Sequence, residues 1–474
     1  MSENYSYAGQ FTYDKIKLFA SSGNVLDISR IVTAINLYED LYKSCITGDI
    51  TIVDTNNIIM EAPVIGQEFL GFKLITPGLD EFALDYSTHV FTITKINTRT
   101  SPTPGTMVYN LAFSSPEGLR DNRTRVSKSY TNSIDSIVED VLSSTKYINT
   151  KKTLFLEETK GIKKMVVPYQ HPFKLINQLK MDAVSKKHDS PHYMFYENTL
   201  GFHFRTLDSL YAQKAIADFN ASDMGGKVTI DEELQRVLQF QIVGSNDMLI
   251  NVVTGMLSSN MLTHDIYRKE YRVDDFDYLS EFDENYRAHY EDGLKDNPIY
   301  NDGPIDEFDN SISEFSNAKR YFHPTSTIIN NSDAQHYAED NSAALAYGLE
   351  SNNNPYTAND IPKTIMSRKS KLAELTQGVS VLISVYGTTQ LNVGSIVNFS
   401  VPVSGAKHSG EKSDIYLSGR FLIKSLRHMF DFSEKKHTCA MTLVKDSINS
   451  ELPLDDLAIE PKAESRGIIS EFYS

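Results

Sequence analysis

Residues Phe91–Phe113 read FTITKINTRTSPTPGTMVYNLAF, and residues Phe421–Leu443 read FLIKSLRHMFDFSEKKHTCAMTL. Laid over one another without a gap, they share two identities in 23 positions, yet their apolar residues coincide. Phe91 and Ile93 alternate onto one face, as do Phe421 and Ile423. In both copies the next apolar residue, Ile96 or Leu426, falls out of phase. On the return strand Leu111 and Phe113 match Met441 and Leu443. A period-2 pattern broken twice at the same place predicts two β-hairpins with a common β-bulge. These ten residues are the expected core of a structural repeat. The turns differ, SPTPG in one copy and DFSEKK in the other, so they are expected at the rim of each unit.

The repeat extends upstream. IGQEFLGF (65–72) is answered by VGSIVNF (393–399), and Gly66 and Gly394 each open a strand where a turn needs positive φ. ISRIVTAINL (28–37) and ITGDI (46–50) are echoed by LQRVLQFQIV (234–243) and VTGML (253–257). This match pairs Arg30 with Arg236, Thr47 with Thr254 and Gly48 with Gly255, giving four expected repeat-turn glycines. The second copy is thus split by an insertion of about 100 residues, from near 272 to near 379.

The expected class is mainly β with α/β, built on two duplicated, tube-like β-barrel domains. The first spans 1–116 and an α/β domain spans 117–226. The second barrel takes 227–273 and 379–448, around an acidic insertion at 274–378, and 449–474 form a tail. In the α/β part, Ile134, Ile137, Val138, Val141 and Leu142 make one helical stripe behind a Ser133 cap. Pro172 suits the first turn of a second helix, and YMFYENTLGFHFRTL (193–207) reads as a hairpin. A further helix opens at Pro362 and stops at Gly378. The stretch 274–314 holds 14 acidic residues against Arg287 and Lys295, a net of −12 out of the chain's −16. It reads as a solvated acidic face or an electrostatic docking surface.

That charge argues against gripping DNA, which needs clustered cations; a passive conduit is allowed. The amino-terminal MSENYSYAGQ has no signal-peptide pattern, and VSVLISV is too short to cross a bilayer, so no stable membrane insertion is expected. Cys45 and Cys439 are read as buried free thiols of a chain made in a reducing cytoplasm. No phosphate loop, dinucleotide fingerprint, nucleophile elbow or HExxH motif occurs. SxxK occurs three times, as SSTK, SNAK and SEKK, without further context. His188, His192 and His203 cluster around the predicted hairpin, but without a carboxylate at motif spacing they read as exposed strand and turn histidines. No catalytic, metal or cofactor site is expected, and the chain is read as a non-enzyme.

The order of these segments resembles the baseplate central hub proteins of contractile-tailed bacteriophages. The likeness rests on INLYEDLYKSCITGDITIVDTNNI (35–58), VSVLISVYGTTQLNVGSIVNF (379–399) and GRFLIKSLRHMFDF (419–432). Val393 stands where that family's strand entry usually has Pro. The resemblance implies a virion protein of the tail baseplate, assembled in the host cytoplasm. It implies a homotrimer whose six similar modules form a pseudo-six-fold ring. The implied partners are tail tube protein, a separate central spike protein and other baseplate proteins, with DNA only passing through the lumen. Two other classes stay open: a tail-associated cell-wall glycosidase using carboxylates of the acidic stretch, and a carbohydrate- or receptor-binding tail protein.

Overall fold

Two sets of long strands carry the fold, and the alternation of their residues decides which face each buries. In this computed structural model, residues 6–55, 64–221, 229–244, 247–265, 269–284, 286–289, 297–300, 319–325, 361–402 and 413–449 are described. The first set comprises β1 (Val32–Asp40), β2 (Thr47–Asp54), β3 (Phe69–Gly71), β4 (Phe91–Thr103) and β5 (Thr106–Ser114). Between the sets lie helices α1 (Ile134–Ser143) and α2 (Pro172–Leu179) and the hairpin β6 (Tyr193–Asn198) and β7 (Gly201–Thr206). Then come β8 (Val237–Gly244), α3 (Met248–Thr254), α4 (Ile361–Gln377), β9 (Val379–Tyr386), β10 (Ile396–Ser400), β11 (Gly419–Asp431) and β12 (Lys436–Lys445). Among the described residues no helix is long and apolar enough to cross a membrane.

The two sets join in one sheet, ordered β8-β9-β12-β11-β1-β2-β5-β4. In each set the fourth strand also borders a short one: β3 pairs with the start of β4, and β10 with the start of β11. The shared bulge lies where the phase defect is. Register shifts after Ile93 opposite Phe113, and after Ile423 opposite Leu443. Phe91, Ile93, Leu111 and Phe113 are buried in one core, and Phe421, Ile423, Leu426, Met441 and Leu443 in another. Ile96 departs from the expectation: it is 37% exposed, while Leu426 is 2% exposed.

No barrel closes on itself among the described residues; the long strands form one open sheet. The reason is local. Residues 425–431 of β11 hydrogen-bond to β1 of the other set, which joins the sets edge to edge. A single bridge between Asn220 and Arg236 brings the second set partly round.

Cross-strand partners also correct the upstream match. Ile50 lies opposite Ile35 and Leu111, while Ile383 lies opposite Phe240 and Met441. Ile35 therefore corresponds to Phe240, one residue away from the Arg30–Arg236 alignment. In a strand a one-residue slip exchanges the faces. The place of β2 is held by β9, not by residues 253–257, which end helix α3. Gly255 is the left-handed C-cap of that helix (φ 76°), and Gly48 sits inside β2 under the ring of Phe113, where a Cβ would collide. Gly66 (φ 92°) and Gly394 (φ 86°) do occupy the left-handed region before a strand.

The α/β part packs α1 and α2 on one face of β6 and β7, through Ile137, Val138, Leu175, Ile176, Phe195 and Phe202. Ser133 is the N-cap residue of α1, but its hydroxyl meets Ser136 Oγ at 2.9 Å. The helix amides of Ile134 and Asp135 are taken by Thr159 Oγ1 at 3.0 and 3.2 Å. Both faces of β6 are covered, because Met194 and Tyr196 enter the core of the second set.

The acidic stretch is not a detached solvated face. Tyr278, Phe282, Ala288, Ile299 and Tyr300 belong to the core of the second set. Arg287 donates to Glu374 of α4 at 2.8 Å inside it, and Lys371 of α4 pairs with Asp446. A buried guanidinium needs such carboxylates; both come from outside the stretch, which sends its aromatics and Arg287 inward while Asp275, Asp283 and Glu284 stay exposed. Much of 290–318, the loop 351–360 and the tail beyond 449 lie outside the described residues.

Candidate assembly interface

The seam between β11 and β1 is an antiparallel ladder of seven residue pairs, from Ser425 opposite Asp40 to Asp431 opposite Ala34. Its inner face is buried: Leu426 is 2% exposed, Ile35 and Leu37 are fully buried, and the polar Glu39 and His428 lie among them. On the outer face, Arg427 lies 5.5 Å from the Tyr38 ring and donates to Asn36 Oδ1 at 3.1 Å. Asp49 accepts from Asn36, Tyr38 and Asn110 at 3.0, 2.8 and 3.0 Å. Burial and the Asp49 carboxylate push the Tyr38 hydroxyl above its ordinary pKa. At the inner end, Glu39 Oε2 accepts from the amide of Val393 at 2.9 Å, and burial raises its carboxyl to about 8.

A second contact fixes the α/β part to the first set. Lys152 Nζ lies 2.9 Å from Glu117 and 2.5 Å from Glu197, all three nearly buried. Glu197 of β6 also accepts from the amide of Ile46 at 2.9 Å. Burial alone would depress the lysine's pKa, but the two carboxylates hold it above the ordinary value.

Among the described residues, each end of the eight-strand run is an open edge. Beyond Ile93, no described strand pairs with the outer edge of β4, which is exposed from Thr94 to Thr103. At the other end, among the described strands, β8 pairs only with β9. β8 carries Leu238, Phe240, Ile242 and Val243 at 43, 41, 46 and 59% exposure. The register makes these edges counterparts of the seam. β4 holds in the first set the place of β11 in the second, and β8 holds the place of β1. Phe240 corresponds to buried Ile35. Ile242, opposite Val381, corresponds to buried Leu37, opposite Gly48. Exposed Ile96, opposite Leu111, corresponds to buried Leu426, opposite Met441. The β8 edge is apolar, whereas the β4 edge is polar apart from Ile96; strands with unpaired backbone groups are templates for another strand.

The three histidines around the hairpin are neither gathered nor uniformly exposed. His192 is buried, with Nε2 3.1 Å from Ser367 Oγ, and His203 is stacked between Phe155 and Tyr196. His188 stands edge-on to Tyr286. The seam itself escapes sequence reading, since nothing in a period-2 pattern names the strand that lies beside it. The apolar residues LQFQIV of β8 were the available signal.

No family profile matches the sequence, and no curated protein matches it. Solved phage tail proteins are similar to the chain over nearly its whole length. A tail protein from Neisseria meningitidis MC58 is 9% identical, with a TM-score of 0.48, over 92% of this chain and 97% of that one. A 43 kDa tail protein of prophage MuSo2 from Shewanella oneidensis is 9% identical, with a TM-score of 0.49, over 92% and 98%. An E. coli component of the type VI secretion system is 9% identical, with a TM-score of 0.43, over 91% and 77%. At these values none of them assigns a role to a residue of this chain.

Proposed function

We propose that this chain is a structural hub of a contractile tail baseplate, three copies of which close into a ring of six similar modules. The observation that carries the reading is the pair of open edges. β8 exposes Phe240 and Ile242 and β4 exposes Ile96, each the counterpart of a side chain buried where the two sets meet within the chain. A second copy that laid its β8 along β4 would repeat the internal seam, covering Ile96, Phe240 and Ile242 together. The contact is head-to-tail, so it closes only when the rotation per chain divides a full turn. Two modules per chain and three chains give steps of about 60°. A ring of that kind matches a six-fold tail tube on one face while offering three-fold symmetry to a separate spike on the other. A net charge of −16 lets DNA pass through such a ring without sticking.

The test is the mass of the purified full-length chain by light scattering. The reading expects three times the 53.4 kDa of one chain. Phe240→Lys with Ile242→Lys is expected to yield folded monomers. A monomeric wild-type protein at micromolar concentration, with no association on adding tube or spike protein, would overturn it.

A further inference from the structure

We propose that His428, His437 and Cys439 form a structural Zn²⁺ site behind the β11–β1 seam. His428 of β11 lies opposite Cys439 of β12, and His437 is two residues before Cys439, so all three project from one face of the hairpin. Their ligand atoms form a tight triangle. His428 Nδ1 is 3.0 Å from His437 Nε2, and Cys439 Sγ is 3.2 and 3.4 Å from those nitrogens. All three residues are fully buried. Among the described residues, no other group of three His, Cys, Asp or Glu side chains comes this close.

Zinc bonds of about 2.0–2.1 Å to nitrogen and about 2.3 Å to sulfur place tetrahedral ligands roughly 3.4–3.6 Å apart. The triangle needs to open by only a few tenths of an ångström. The ion would stand about 0.7 Å out of its plane, leaving a fourth position for a small ligand. Imidazole and thiolate suit Zn²⁺ and Cu⁺ alike, and the surroundings favour the dication. Glu39 Oε1, buried and without a hydrogen bond, lies 3.9 Å from His428 Nε2 on the outer side of that ring. A dication and one thiolate leave a single positive charge, and Glu39 is the acidic group placed beside the ligands to balance it. A carboxylate behind a ligating histidine also fixes the ring. On the other ring, Phe430 stacks on His437 with centroids 4.0 Å apart, and a side chain on Gly387 would collide with the imidazole. Because Glu39 belongs to β1 and the three ligands to the other set, the ion would tie the two sets across their seam.

The experiment uses the full-length chain, expressed with zinc in the medium and purified without chelators. Elemental analysis is expected to find about one Zn²⁺ per chain. Exchange for Co²⁺ is expected to give a thiolate-to-cobalt charge-transfer band that Cys45→Ser keeps and Cys439→Ser loses. Glu39→Gln is expected to weaken Zn²⁺ binding by about 10–100-fold, read by competition with a chromogenic chelator. If Cys439→Ser fails to fold, the wild-type cobalt spectrum and its persistence in Cys45→Ser decide the matter. A wild-type chain that holds no zinc and gives no charge-transfer band would overturn the proposal, as would folded Cys439→Ser retaining full stoichiometry.

Discussion

Ile96 and Leu426 hold one position just past the bulge that the two hairpins share, yet they are 37% and 2% exposed. The difference comes from the neighbouring strand. Leu426→Ala should cost about 2–5 kcal/mol, as should truncation of Phe91, Ile93, Phe421 or Ile423, because each leaves a cavity in a closed core. Ile96→Ala should cost under about 1 kcal/mol in a dissociated chain, which chemical denaturation at low protein concentration measures. The alternation of residues made the buried four legible, since period 2 assigns a face to every strand residue. It could not reveal Ile96, because the exposure of an inward residue depends on what lies beside the strand. Lys445 offers a pH test. It is buried, donates to the carbonyl of Ser418 at 2.8 Å, and desolvation lowers its pKa to about 7 from 10.5. Since the unfolded lysine binds a proton between those values and the folded one does not, stability should rise with pH from about 7 to 10.5. Lys445→Met should remove roughly 2–4 kcal/mol of that rise, seen as a flatter curve in urea melts against pH.

At the scale of elements, the acidic stretch is the instructive case. Counting charge marks it as a solvated surface, and its aromatics were the counter-signal. Phe276, Tyr278 and Phe282 are buried, and Arg287 is paired inside the core with Glu374, 87 residues away. Charge pairing over such distances has no sequence period, so it was not legible. Replacing 275–289 by a Gly-Ser linker of equal length should abolish cooperative unfolding, followed by circular dichroism, because it strips Tyr278, Phe282 and Arg287 from the second core. The hairpins themselves were legible down to their shared bulge, since a phase break in an apolar pattern is a local signal. The upstream strands were less so. LQRVLQFQIV fits its counterpart at two adjacent offsets, and only the partner strand distinguishes them.

For the whole molecule, the account rests on one sheet that repeats its own joint. Within the chain β11 pairs with β1; between chains β4 should pair with β8. Register specifies which residues would meet. Thr100, opposite Val108, holds the place of Met429, opposite Thr438. Gln241, opposite Leu382, holds the place of Asn36, opposite Asp49. Met429 and Asn36 are partners across the seam, so Thr100 of one copy should face Gln241 of the next. Directly opposed strand residues bring their Cβ atoms within about 4.5–5.5 Å, close to what a disulfide spans. The decisive measurement is therefore mild oxidation of the Thr100→Cys/Gln241→Cys double variant, followed by denaturing, non-reducing electrophoresis. The account predicts a covalent trimer from the double variant and none from either single variant. A double variant that stays monomeric, or that cross-links no better than the single variants, would contradict the ring.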